Sequence, residues 1–331
     1  MSMSIGNSIA LGTLGFIITV ESLVVCFMVY RYRILRTFNN GFVVSLVLSD
    51  VLFGAVLLPV IIHDATSLAA GFLVAVILMA NVTNMFAVTL DRFLAVMKPL
   101  IYHVTMAKHF TKIVVLAWVL PIGITLIPIA YDGDRRGSAH KIYLFGILII
   151  GILIPYIFIL VAYVMIFREV SRQVRKLAKL QNLRFDQDAL KEGKRVTGEA
   201  RMARVFALIA GIFVLTWLPV VYMTTVEAIG LVETLVPEVL ITISWYTLCM
   251  GSITNAPIYA LFKSDFRKAF QKMLRLRKTR FQCLQETSSS LLPQTSDRRT
   301  KSTNDKHQLH PPKSPKSPTS EKSPCSQTSQ Y

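Results

Sequence analysis

A handful of polar side chains stand inside stretches of this chain that are otherwise apolar, and their types and spacing set the chemistry open to it. Asp50 closes Leu46-Val47-Leu48-Ser49-Asp50, while Asn81 and Asn84 precede Asp91-Arg92-Phe93. Further on come Phe213-Val214-Leu215-Thr216-Trp217-Leu218-Pro219 and Ser252-Ile253-Thr254-Asn255-Ala256-Pro257-Ile258-Tyr259. A carboxylate in hydrocarbon is costly and needs partners, so Asp50 marks a functional position. The Arg92 guanidinium is always charged and offers five donors in a fixed fork, and neighbouring Asp91 can hold it. Pro219 removes a backbone hydrogen bond and leaves a kink; Trp217 sits just inside it and Phe213 a turn deeper, so pressure on the indole biases the helix angle. This is switching chemistry rather than catalysis. No H-E-x-x-H, G-x-S-x-G, phosphate loop or paired-cysteine metal site occurs, and the carboxylates lack partners suited to acid–base work, so the chain is not an enzyme.

Residues of this kind must be held by membrane helices. Of 331 residues 53% are hydrophobic and only 17% charged, against about a quarter charged in a soluble domain. The apolar residues gather in seven blocks, at about 9–30, 42–62, 71–97, 113–131, 142–167, 203–229 and 238–262. Each is long enough for the roughly 30 Å hydrocarbon core, which takes about 20 residues of helix. No run alternates apolar and polar as a membrane β-strand would, and no second half mirrors the first as in many transporters. The first block is too long for a signal-peptide core and is expected to remain as a helix. The expected fold is therefore all-α and integral to the membrane: seven transmembrane helices in a bundle, with an amphipathic eighth. The corresponding organisation is a short extracellular segment (1–8), the bundle with its eighth helix (9–275, including a third cytoplasmic loop at 168–202), and a disordered tail (276–331).

Charge orients the bundle. The net charge is +17, and nearly all of it comes from two segments. Residues 168–204 hold 11 Lys/Arg against 5 Asp/Glu, and residues 263–331 hold 15 against 5. The short basic loop Arg31-Tyr32-Arg33-Ile34-Leu35-Arg36 and the run 98–112 lie on the same side, whereas Asp64, Asp132, Asp134, Glu233 and Glu238 lie on the other. The positive-inside bias places the N-terminus outside and the C-terminus in the cytoplasm, as expected of a multi-pass plasma-membrane protein. Topology thus accounts for a pI near 9.9 without nucleic-acid binding. Cys26 and Cys249 fall in helices and Cys283 and Cys325 in the tail, so no metal-ligand spacing and no extracellular disulfide pair arises.

Taken in order and each on a different helix, these motifs resemble those of the rhodopsin-like G-protein-coupled receptors, over about residues 8–275. Asp91-Arg92-Phe93 is similar to D-R-Y, with Phe for Tyr, and Lys98-Pro99-Leu100-Ile101-Tyr102 to the loop after it. Trp118 matches the helix-four tryptophan, and Pro155 with Tyr163 the helix-five pair. Thr216-Trp217-Leu218-Pro219 resembles C-W-x-P, and Asn255-Ala256-Pro257-Ile258-Tyr259 resembles N-P-x-x-Y with the proline one residue on. Residues 263–270 resemble the amphipathic eighth helix on the membrane surface. Two departures stand out. Ser22 replaces the usual helix-one Asn, and Ser67 stands near where helix three normally begins with Cys. The missing disulfide is shared in part by melanocortin, cannabinoid and lysophospholipid receptors.

The resemblance implies roles. Glu199, eighteen residues before Trp217, is the lock partner expected to hold Arg92 beside Asp91 until helix six moves, with Phe93, Tyr163 and Tyr259 in the same G-protein-coupling region. Phe213, Trp217, Pro219, Asn255 and Pro257 form the activation switch. Asp50, Asn81, Ser252 and Asn255 form a sodium pocket, with a water-filled network as the alternative, and no other metal or cofactor is expected. The ligand would lie in the extracellular half, lined by Val74, Ala75 and Leu78 on helix three and by Ile147 and Gly151 on helix five. Val220, Val221 and Thr224 on helix six and Trp245 and Tyr246 on helix seven complete it. Val74 occupies the place where amine receptors carry Asp, and Cys249 the place where opsins carry their Schiff-base Lys, so no retinal is expected. The apolar lining favours a small apolar or lipid-like ligand; a peptide on the acidic loops, or a non-coupling or constitutively active scaffold, is the alternative.

The cytoplasmic segments add partners. Residues 171–183 alternate basic and apolar, so helix five should extend beyond the membrane with a surface for a G protein or anionic lipid. The tail repeats Lys313-Ser314-Pro315, Lys316-Ser317-Pro318 and Lys322-Ser323-Pro324. Phosphate on Ser314, Ser317 and Ser323 would offer charge to an arrestin-type protein. Cys283 is a palmitoylation candidate.

Overall fold

The computed structural model describes residues 4–128, 138–181, 187–262 and 265–272. Seven long helices follow one another: α1 (Ile5–Arg31), α2 (Phe38–Asp64), α3 (Leu68–Met97), α4 (Pro99–Leu126), α5 (138–181), α6 (Gln187–Ile229) and α7 (Glu238–Phe262). Each contains a stretch long and apolar enough to cross a membrane. A short α8 spans 265–272, and no strand occurs among the described residues. All seven apolar blocks are helical over their described residues, so the expected seven-helix architecture is present.

The helices pack as a ring closed by α1 against α7, with α3 touching α2, α4, α5 and α6. The bundle holds a few polar groups within an apolar core and turns further apolar side chains outward. Asp50, Ser49 and Thr89 are fully buried and Asn84 and Asp91 nearly so, while Phe16, Phe27, Leu116, Ile150 and Ile157 are exposed. An apolar surface of that extent requires a hydrocarbon solvent. Where α1 crosses α2, Gly15 and Gly54 let the backbones meet. A Cβ on Gly15 would lie 2.8 Å from the Gly54 carbonyl oxygen, and one on Gly54 would lie 2.6 Å from the Gly15 oxygen. Small residues at a crossing are how membrane helices gain packing that the hydrophobic effect does not supply.

Two helices widen into π-helical turns, at Phe53–Leu57 in α2 and Ile147–Leu153 in α5. Pro59 and Pro155 stand two residues past their ends. A proline ring clashes with the carbonyl four residues earlier, here Ala55 and Gly151, and the widened turn moves that carbonyl aside. α6 ends on Gly230, whose φ of 73° suits only glycine comfortably. Leu231 N–H donates to Val226 O at 3.1 Å and Gly230 N–H to Glu227 O at 3.0 Å, closing the helix in the double-bonded C-terminal motif.

Helical hydrogen bonding outruns the apolar blocks at the ends that carry the basic residues. α4 begins at Pro99 rather than 113, directly after Lys98, whose φ of −135° breaks the run from α3. Proline is favoured at the first helical position, whereas Lys108, Lys112, His103 and His109 mask the same stretch from a hydropathy reading. Likewise the expected loop 168–202 is helical over 168–181 and 187–202. Hydropathy marks where a helix enters hydrocarbon, not where it starts.

Candidate functional site

At the C-terminal end of α3 the buried Asp91 carboxylate has two partners. One oxygen accepts from Arg92 Nε at 2.9 Å and pairs with a terminal guanidinium nitrogen of the same residue. The other accepts from the Tyr102 hydroxyl at 2.6 Å. Asp91 is 1% exposed and Arg92 13%, so the pair is screened from bulk water and its mutual attraction is strong. Tyr102 stands in the first turns of α4, so the short α3–α4 connection itself aims the phenol at Asp91. Phe93 turns toward α5 instead: its ring lies 6.3 Å from Phe158, which in turn contacts Phe86 at 4.6 Å. Neither Tyr102 nor Phe158 was marked by the sequence as a site residue; a phenol one helical start away from a buried carboxylate was the available signal for the first. Tyr163 is buried in the same half of α5, with its hydroxyl facing Thr89 of α3. Glu199 and Tyr259 lie in α6 and α7, but their side chains are outside the described residues.

Mid-bundle, three helices converge on Asp50. Asn81 Nδ2 of α3 donates to Oδ1 at 3.0 Å and Asn255 Nδ2 of α7 to Oδ2 at 2.9 Å. Ser252 also faces this carboxylate, so all four residues expected to share a pocket do stand together. α1 adds two polar groups. Ser22 is fully buried and its hydroxyl has no partner, and one Glu21 oxygen is buried without one. Glu21 is close enough to Asp50 for the two carboxylates to interact. Glu21 is a carboxylate within the first apolar block, and that is the signal the linear chain offers for it. Alongside, Trp118 Nε1 donates to Ser45 Oγ at 2.9 Å and Ser45 Oγ to Asn84 Oδ1 at 2.6 Å, joining α2, α3 and α4.

The switch residues of α6 lie as spaced. Phe213 and Trp217 stack with ring centroids 5.2 Å apart, both buried, below Pro219. Thr216 presses on α7, where a Cβ at Gly251 would sit 2.7 Å from its Oγ1. Tyr156, another residue the sequence did not flag, ties α5 to α6 by donating to Val214 O at 2.7 Å.

The expected ligand-lining residues are held at the opposite end. Val74, Ala75, Leu78, Ile147, Val220, Val221, Thr224, Trp245 and Tyr246 are half-buried, and Gly151 is buried against Met79. Thr224 Oγ1 donates to its own helix at Val220 O, 2.9 Å away, and the Tyr246 hydroxyl to Asn7 Oδ1 of α1 at 3.2 Å. Ser67 caps α3, its oxygen accepting from Ala70 N at 3.2 Å. Preceding it, Asp64 Oδ1 accepts from Thr66 N and Oγ1 at 2.9 and 2.7 Å. A hydrogen-bonded turn therefore fixes the start of α3. Cys26 and Cys249 are free thiols. In α8, Phe266 and Ala269 are buried while Arg267 and Lys268 are exposed, an amphipathic arrangement. Ser314, Ser317, Ser323 and Cys283 lie outside the described residues.

A buried Asp-Arg pair, a three-helix polar centre and a stacked aromatic pair under a proline kink thus stand in one helical bundle. Residues 21–259 match the 7 transmembrane receptor (rhodopsin family). The chain belongs to that family. Among its relatives is the D(5)-like dopamine receptor of Takifugu rubripes, 28% identical over 76% of this chain and 62% of that one. The GQ-coupled rhodopsin of Mizuhopecten yessoensis is 27% identical over 71% of this receptor and 52% of its own length. The octopamine receptor beta-2R of Chilo suppressalis is 26% identical over 76% and 75%. This receptor thus spans between about half and two thirds of the length of the first two. Two of these relatives are amine receptors by name and the third is a rhodopsin.

Proposed function

We propose that this receptor transduces binding of a small apolar or lipid-like extracellular ligand to a heterotrimeric G protein. The observation that carries the coupling half is the buried Asp91–Arg92–Tyr102 cluster. A guanidinium held by one carboxylate, itself held by a phenol from the next helix, is a bistable element: breaking the pair releases the guanidinium fork toward the cytoplasmic mouth. Glu199 is the further lock partner. Trp217, stacked on Phe213 beneath Pro219, passes ligand contact to α6, and Asn255 and Pro257 pass it to α7. N-terminus outside and C-terminus inside follows from the charge distribution, and the plasma membrane is the site of action.

The lining of the extracellular half supports the ligand class. Val74, Ala75, Leu78, Ile147, Val220 and Val221 offer no ionised group. The relatives named for dopamine and octopamine are amine receptors by name, but Val74 gives an ammonium no carboxylate to pair with. Cys249 offers no amine for a retinal Schiff base. At mid-bundle, Asp50 with Asn81, Ser252 and Asn255 offers the hard oxygens a sodium ion takes. Phosphorylated Ser314, Ser317 and Ser323 would recruit an arrestin-type protein, and a lipid on Cys283 would tether the tail.

The test is second-messenger output, cyclic AMP and calcium, in cells expressing the chain with and without Arg92→Ala, first unliganded and then against a lipid-first ligand panel. Signal abolished by Arg92→Ala supports coupling. No signal in either form at confirmed surface expression, with any ligand, favours a non-coupling scaffold.

A further inference from the structure

Where α5 leaves the apolar belt, an open groove and a cation cluster meet end to end. The groove, about 340 Å³, runs between α5 and α6, with Leu160, Val164 and Phe167 on one wall and Ala207, Gly211 and Val214 on the other. Its α5 wall faces outward: Leu160, Val164 and Phe167 are 43%, 51% and 60% exposed. Its depth comes from missing side chains on α6, since a Cβ at Gly211 would meet no atom within 4 Å. Tyr163 also lines it. A second hollow, about 430 Å³, shares Phe167 and Arg168 with the first and adds Ser171, Arg172, Arg175 and Lys176. Residues 168–176 hold four cations against a single carboxylate, Glu169, which Arg172 approaches at 3.9 Å.

We propose that an anionic phospholipid of the cytoplasmic leaflet docks here, one acyl chain in the α5–α6 groove against Gly211 and its phosphates on Arg168, Arg175 and Lys176. The apolar groove alone would accept any acyl chain. Selection comes from the cations, because arginine forks match phosphate oxygens two at a time and that leaflet is negatively charged. Continuity of the two hollows through Phe167 and Arg168 is what makes chain and headgroup parts of one ligand. A lipid so placed bridges α5 to α6 and resists their separation. The site rests on the orientation given above, with the C-terminal end of α5 in the cytoplasm.

The test uses the full-length receptor in phosphatidylcholine nanodiscs carrying phosphatidylinositol bisphosphate with a photoactivatable group in one acyl chain. A phosphatidylcholine bearing the same chain is the comparator, and cross-linked residues are mapped by mass spectrometry. The inositide probe should label 160–167 and 207–214 in preference to the comparator. Replacing Arg168, Arg175 and Lys176 together by Gln should cut that labelling about a hundredfold, about fivefold for each cation removed near an anionic surface. Gly211→Leu, which grows into open space, should remove labelling by both probes there while leaving thermal unfolding unchanged. Equal labelling by both probes, labels spread evenly around the belt, or labelling indifferent to the triple replacement overturns the proposal. Labelling indifferent to that replacement, with G-protein activation lost, would assign the cations to the G protein instead. Staining of a C-terminal tag on intact cells would overturn the orientation separately, whatever the cross-links show.

Discussion

The Tyr102 hydroxyl donates to Asp91 at 2.6 Å, on the carboxylate oxygen that Arg92 leaves free. One buried acid is thus shared between its own helix and the next, and α4 takes part in holding the arginine. Tyr102→Phe should therefore weaken the resting pair by about 1 kcal/mol and raise ligand-free signalling roughly fivefold. Basal cyclic AMP or calcium at matched surface expression reads this out; an unchanged baseline would mean the phenol only packs.

Sodium should stabilise the bundle through Asp50. In detergent, replacing choline by sodium should raise the midpoint of thermal unfolding of the unmodified receptor, because a ligand that binds only the folded state stabilises it by mass action. Asp50→Asn should abolish the dependence and Asn81→Ala should reduce it. A sodium-independent midpoint in the unmodified receptor would leave a hydrogen-bonded water network as the reading of this cluster.

The α1–α2 crossing should tolerate no side chain. Gly54→Ala would place a methyl 2.6 Å from the Gly15 oxygen and 2.8 Å from Thr19 Oγ1, an overpacking that costs about 1–3 kcal/mol. Gly123→Ala, with nothing within 4 Å of the new methyl, should be neutral or gain up to about 1 kcal/mol from helix propensity. Thermal unfolding of the two variants side by side checks the contrast; equal midpoints would refute the close crossing.

Ser67 should matter as a cap. Ser67→Ala removes the acceptor for Ala70 N and should cost about 1 kcal/mol, whereas Ser67→Asp should retain most of the stability. Amide hydrogen exchange in the first turn of α3 is the local readout, and identical protection in Ser67→Ala and the unmodified receptor would rule the cap out.

The seven apolar crossings and the polar residues and prolines within them were legible in the linear chain because each rests on local composition or short spacing. Apolar blocks of about 20 residues have one stable solution in a bilayer, the helix, since no water is there to satisfy a free backbone. Asp50, Arg92, Trp217 and Pro219 could be singled out because a polar group or a proline inside such a block is costly wherever it points. Who meets whom was not legible. That Tyr102 turns back onto Asp91, that Glu21 approaches Asp50, that Tyr156 reaches across to Val214, and that Gly211 leaves a hollow beside four cations all depend on how helices rotate and cross. Those angles are set by close contacts such as Gly15 on Gly54, between residues 39 positions apart in the sequence. The helices were written in the chain, and their mutual rotation was decided by packing, because a side chain's partner across a bundle is fixed by the whole assembly and not by its neighbours in sequence.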